Sequence, residues 1–233
     1  GTGLGWLQAY CERLRDQERE LRLRRMEEEL LIARAIQKQF LPKILPSAPE
    51  YRFAVIYQPA EMVGGDLYDF FRMDGACVGF ICDVSGHGVP SALISGMVKT
   101  GFEEAAGADS DPGQILTRLN LLLHDKLGSH FVTAACFRLR TADRALTVAS
   151  AGQNPLVLVH DGKISELVTH GRVLGLFSDS RYETTTWTLA AGDRVVAYTD
   201  GISECVSGNN DDELYGEDRL LAELLGALGI DVQ

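Results

Sequence analysis

No stretch of this chain supplies the roughly 20 consecutive apolar residues that a membrane-spanning helix needs. The opening GTGLGWLQAY also lacks the basic segment followed by an apolar one that directs secretion. Cysteine is sparse: five residues, at positions 11, 77, 82, 136 and 205, form no CxxC pair and are odd in number. Neither a disulfide framework nor a zinc site is indicated, and a reducing cytoplasm is the expected home. Positive charge is short as well, with 22 Lys and Arg against 33 Asp and Glu and a formal net charge of -11 at pH 7. Such a surface does not attract nucleic acid or an anionic membrane, but it suits a protein that collects divalent cations. There is no internal repeat, no low-complexity tract and no phosphate-loop motif. The 233 residues suffice for one well-cored domain with an appendage. A start at Gly-Thr-Gly without methionine reads as a piece cut from a longer polypeptide.

From about Leu7 to Phe40 there is neither proline nor glycine, charges of both signs are dense, and apolar residues recur at three and four. One long helix is predicted. Leu7, Tyr10, Leu14 and Leu21 keep one heptad phase and Leu23, Met26, Leu30, Ala33 and Phe40 another, so a dimer-forming seam would slip near Leu21 to Leu23. Pro42, Pro46 and Pro49 end the helix. The expected organisation is therefore a helical, coiled-coil linker over residues 1–41 and a folded domain over 42–233.

Beyond that boundary short apolar strands alternate with turn signals. RFAVIYQ, DLYDFFRM and ACVGFICDV come first, the last two joined at Asp74-Gly75. Two helices follow, VPSALISGMVKTGFEEAA and one opened by Asp111-Pro112 with the acid as cap. FVTAACFRL, ALTVASA, PLVLVHD, KISELV, YETTTWTL and DRVVAYTD complete the strands, with a tight turn at Asp161-Gly162 and a last helix from about Glu217 to Leu228. The fold class is α+β: two antiparallel sheets with helices on their outer faces.

Three carboxylates share one setting. Asp66 follows Gly64-Gly65, Asp83 closes an apolar strand before Ser85-Gly86, and Asp200 precedes Gly201 after another strand. Singly each reads as a common turn residue. Together, at strand ends where glycines let backbone approach, they are hard oxygen donors of the kind Mg2+ and Mn2+ take.

VGGDLYD, DVSGHGVPSAL, SAGQNP, LGL and YTDGISE, in this order and spacing, resemble the SpoIIE and RsbU branch of PPM-type metal-dependent serine/threonine phosphatases. ARAIQKQFLPKILP and YQPAEMVGGD resemble the segments that precede that domain. The resemblance covers roughly Ala33 to Leu225 and implies a sandwich of two antiparallel sheets flanked by helices. It implies that Asp66 and Asp83 hold two Mn2+ or Mg2+ ions, with the Asp83 carboxylate bridging them, the Val84 carbonyl adding a ligand and Asp200 holding one ion from the opposite sheet. Such ions, about 3.5–4 Å apart, would activate a water toward a phosphomonoester and neutralise its oxygens. The implied substrate is a phosphorylated regulatory protein of the anti-sigma factor antagonist type; the heptad pattern, for its part, makes the first helix a homodimer-forming linker to an upstream sensor in preference to a solvated helix lying along its own domain.

Several residues depart from the pattern or admit a plainer reading. His87 either orients the following helix, protonates a leaving alkoxide or caps the turn, and the structural role is the expectation. Gln153 stands before Asn154 where the family usually has histidine, so no role for that histidine carries over. Cys82 and Cys136 read as small core residues. The run Asn209 to Glu213 reads as a solvated turn. No Asp-Asp-x-Thr strand follows Leu225, and Asp231 does not replace it, which on this reading points to truncation. The rival functions are a catalytically impaired interaction module for the same partner and, more weakly, a nucleotide phosphatase.

Overall fold

The computed structural model describes residues 2–207 and 210–226. Helix α1 (Thr2–Gln37) runs without interruption. It ends three residues before Phe40, because Lys38 to Phe40 turn so that Phe40 and Leu41 pack on the core, the ring of Phe40 filling space that Gly96 leaves open. Along α1 Tyr10, Leu14, Leu21, Leu23 and Met26 are exposed. Two short pieces, β1 (Ser47–Ala48) and β2 (Tyr51–Arg52), form a tight antiparallel pair.

The expected strand RFAVIYQ does not form beyond Arg52. Its alternation has another cause: Phe53 packs on Phe70 and Phe137, with ring centroids 4.7 and 6.1 Å apart, and Tyr57 lies 6.0 Å from Tyr68. Aromatic packing produced the period of two without a hydrogen-bonded ladder.

Next come β3 (Leu67–Met73), β4 (Ala76–Val84), α2 (Gly88–Ala108), α3 (Pro112–Leu123), β5 (Val132–Arg140) and β6 (Ala145–Ala151). Then follow β7 (Leu156–His160), β8 (Lys163–Leu167), β9 (Thr185–Thr188), β10 (Arg194–Val196), α4 (Asp200–Ser203), β11 (Val206–Ser207), β12 (Asn210–Leu214) and α5 (Glu217–Gly226). Strands β3-β4-β5-β6-β9 form one antiparallel sheet and β10-β7-β8 another. Gly75 takes φ of +67° in the β3–β4 turn, and Asp161 and Gly162 take φ of 46° and 71° in the β7–β8 turn, values that suit two-residue hairpins. Asp111 caps α3, its carboxylate accepting from the Gln114 N–H at 3.0 Å.

Alternate residues of each strand face different layers. Leu67, Val78, Phe80, Cys82, Val84 and Cys136 pack against α2 and α3. Ile81, Phe137, Leu146 and Val148 face Leu156, Leu158, Leu167 and Val195 of the smaller sheet. Val157 and Val159 turn outward onto Leu220, Leu221 and Leu224 of α5. The result is the expected α+β sandwich, two antiparallel sheets flanked by helices. Among the described residues no helix is long and apolar enough to cross a membrane.

Candidate metal centre

Strand pairing brings two of the three carboxylates together. Leu67 pairs with Cys82, so one further step of the register sets Asp66 across from Asp83 on the same face. That face looks toward the smaller sheet, because Ile81, of the same parity as Asp83, packs in the layer between the sheets. From that smaller sheet, β10 leads through Tyr198 and Thr199 to Asp200, the first residue of α4. The Thr199 hydroxyl donates to Oδ2 of Asp66 at 3.1 Å and so joins the two sheets at this rim.

Like charges directly across a ladder repel. Burial, then the charges of Asp66 and Asp200, then a hydrogen bond with Asp66 push the Asp83 carboxyl up to about 7. Asp66 is also raised, chiefly by burial, while the Thr199 hydrogen bond opposes the rise and the Asp200 charge adds to it. Without a counter-cation the pair therefore retains a proton near neutrality, with Asp83 the partner that keeps it.

The donor set fits a hard divalent cation. A backbone carbonyl lies beside the pair: a Cβ on buried Gly65 would stand 2.7 Å from the Val84 oxygen, so only glycine lets the chain before Asp66 lie against that carbonyl. Among the described residues no group of three or more His, Cys, Asp or Glu is placed to hold a metal ion together, so the centre rests on the Asp66–Asp83 pair with the Asp200 charge near it. An arrangement of one or two carboxylates per ion is the habit of Mg2+ and Mn2+, which keep several waters and dehydrate reluctantly.

Residues outside the motifs complete the setting. Thr133, paired with Asp83, donates its hydroxyl to Oε1 of Gln153 at 3.0 Å, and Nε2 of Gln153 donates to the Tyr198 carbonyl at 3.0 Å. The buried Gln153 amide thus ties the strand of Asp83 to the segment before Asp200. The Tyr57 hydroxyl donates to the Asp66 carbonyl at 3.2 Å. Beneath the centre, Asp69 faces α2 and accepts from Lys99 Nζ at 2.6 Å, both side chains largely buried. None of these partnerships has a local signal in the sequence.

His87 is the N-cap residue of α2 in position only: its side chain makes no capping bond and instead meets Glu61, Nδ1 to Oε1 2.8 Å, in the open. The capping role expected for its side chain is therefore corrected, because the exposed imidazole finds a carboxylate rather than the helix N–H groups. Cys82 and Cys136 are core residues, fully buried. Asn154 donates to Glu217 Oε1 at 3.0 Å. The solvated turn expected over Asn209 to Glu213 is corrected, because Asn210–Leu214 pairs with β11 as strand β12; Asn209 and Asp231 lie outside the described residues.

Comparison with known proteins adds to this geometry. The family model described as Stage II sporulation protein E (SpoIIE) matches residues 74–230. Phosphoserine phosphatase RsbU of Bacillus subtilis (strain 168) is 29% identical over 211 residues, covering 88% of this chain and 62% of the relative. Phosphoserine phosphatase RsbP of the same organism is 26% identical over 183 residues, covering 76% of this chain and 45% of the relative. The chain thus spans less than two thirds of the length of these curated relatives. Among solved structures, the SiaA-PP2C domain of Pseudomonas aeruginosa matches with a TM-score of 0.78 at 25% identity, covering 88% of this chain and 83% of that one.

Proposed function

The chain belongs to the Stage II sporulation protein E (SpoIIE) family, and on that premise we propose that it is a metal-dependent phosphatase acting on phosphoserine or phosphothreonine of a regulatory protein. The observation that carries this reading is the Asp66–Asp83 pair with Asp200 beside it: like charges gathered at one rim, across an interface between two sheets, are costly unless a cation is their partner. Asp66, Asp83, Asp200 and the Val84 carbonyl would hold the ions, Mn2+ or Mg2+. Bound divalent ions supply charge neutralisation for the phosphoryl oxygens and an acidified water.

The chain's own residues do the rest. Gly65 lets the backbone close on Val84. Thr199 fixes one oxygen of Asp66. Gln153 sets the spacing between the Asp83 strand and the Asp200 turn.

The partner we assign is a phosphorylated anti-sigma factor antagonist, so that turnover would feed partner switching; support comes from the curated relatives, both named phosphoserine phosphatases. Residues 1–41 are assigned as a dimer-forming linker to an upstream sensor and 42–233 as the phosphatase domain. The exposed row Tyr10, Leu14, Leu21, Leu23 and Met26 supports the linker assignment. A cytoplasmic setting is supported by five free thiols, three of them buried and unpaired.

The test is release of phosphate from a phosphoserine peptide in Mn2+, with and without chelator. Metal-dependent release is expected. A folded protein that binds the phosphopeptide yet leaves it intact would replace the enzyme with the interaction module. Sedimentation tests the linker: a dimer is expected, and a monomer would remove that assignment.

A further inference from the structure

Gln37 is the last residue of a helix that is mostly solvent-exposed, yet it is only 8% exposed itself. Its side-chain amide pairs with both polar groups of one peptide residue 27 positions away. Nε2 donates to the Gly64 carbonyl at 2.5 Å, and Oε1 accepts from the Gly64 N–H at 3.1 Å. Nε2 also donates to Ser95 Oγ on α2 at 3.1 Å, and that hydroxyl commits its own proton to the Ala92 carbonyl at 2.8 Å. Ser95 is thereby left as an acceptor, so both N–H groups of the amide and one lone pair of its oxygen are directed.

We propose that Gln37 is a positioning residue for the metal centre, clamping Gly64 so that Asp66 is held opposite Asp83. Gly64 has no ladder partner to fix it, since β3 begins only at Leu67. The amide takes the place of a neighbouring strand. It supplies one donor and one acceptor side by side in a single plane, as a peptide group does. With Gly64 pinned from one side and Gly65 closed on the Val84 carbonyl from the other, Asp66 follows two fixed backbone points. A carboxylate one step beyond such anchors reaches the Thr199 hydroxyl and the Asp83 side without searching other conformations. The order this removes from the unbound site is order that cation binding would otherwise impose.

The inference rests on the metal-centre reading, and two arms of the experiment separate them. In wild-type protein without metal, hydrogen exchange should find the Gly64 amide protected; free exchange there would overturn the clamp whatever the metal does. Mn2+ titration followed by electron paramagnetic resonance then compares wild type, Gln37→Met and Ser95→Ala. Outer partners of metal ligands typically contribute about 10–100-fold in affinity, so Gln37→Met should weaken Mn2+ binding by about tenfold or more. Ser95→Ala, which leaves both Gly64 bonds in place, should stay within about twofold, given the modest worth of one hydrogen bond. A merely structural glutamine would lower the melting temperature and leave Mn2+ affinity unchanged, and that result would overturn the proposal. A wild-type protein with a protected Gly64 amide that takes up no Mn2+ would overturn the metal reading and the positioning role together.

Discussion

Thr199 donates its hydroxyl to Oδ2 of Asp66 across 133 residues of chain, and this 3.1 Å bond is the direct tie between the two sheets at the carboxylate rim. It stabilises the ionised form of Asp66 against burial. Thr199→Val keeps the shape and removes the donor. Mn2+ affinity should fall by about tenfold, within the usual range for such partners. Thr199→Ser should retain it. Equal affinity in the valine variant, measured by calorimetric titration, would show that the hydroxyl is incidental.

Metal-free protein should lose stability as pH rises. Asp83 sits at about 7 in the folded protein against an ordinary value of 3.8, so the folded state binds more protons than the unfolded one between these values. The contribution of the protonated carboxyl is fully present below pH ~4 and is lost as pH climbs through ~7. Thermal melting in chelator should therefore show the midpoint falling between about pH 5 and pH 8, with a shallower fall in Asp83→Asn. Mn2+ should reverse the trend, because its binding displaces the proton and strengthens with pH. A midpoint in chelator that rises across this window in wild type would contradict the shift.

The Asp69–Lys99 pair beneath the site is predicted to be structural. Removing one member leaves a buried charge: the side chains are only 4% and 16% exposed. Lys99→Met should cost about 3 kcal/mol in urea unfolding. Adding Asp69→Leu should recover most of the loss, since two apolar side chains replace the ion pair at little net cost. A double variant as unstable as the single one would mean that the pair does more than neutralise itself.

Much of this architecture was legible because its signals are local. The alternation of Leu67 to Met73, the Asp74-Gly75 and Asp161-Gly162 turns and the Asp111-Pro112 helix start all depend on neighbours within a few residues. RFAVIYQ misled for the same reason, since its aromatics alternate to meet Phe70 and Phe137 rather than to line a strand. DRVVAYTD pairs only over Arg194–Val196, because the chain leaves the ladder to deliver Tyr198 to Gln153 and Thr199 to Asp66. The three acids stood out through their glycines. Gln37, Gln153 and Thr199 did not, because their bonds span 27, 45 and 133 residues and leave no period behind.

The central claim is that Asp83 and its neighbours exist to meet a cation that does phosphoryl chemistry. Asp83→Asn keeps the side chain's size and removes a carboxylate whose charge burial, Asp66 and Asp200 disfavour, so it should fold and melt in chelator at or above the wild-type temperature near pH 8. The decisive measurement is Mn2+-dependent phosphate release from a phosphoserine peptide by this variant. The account predicts turnover at least about a thousandfold below wild type, the scale on which a group acting directly on the reacting centre is felt. Turnover by folded Asp83→Asn within a few-fold of wild type would contradict it.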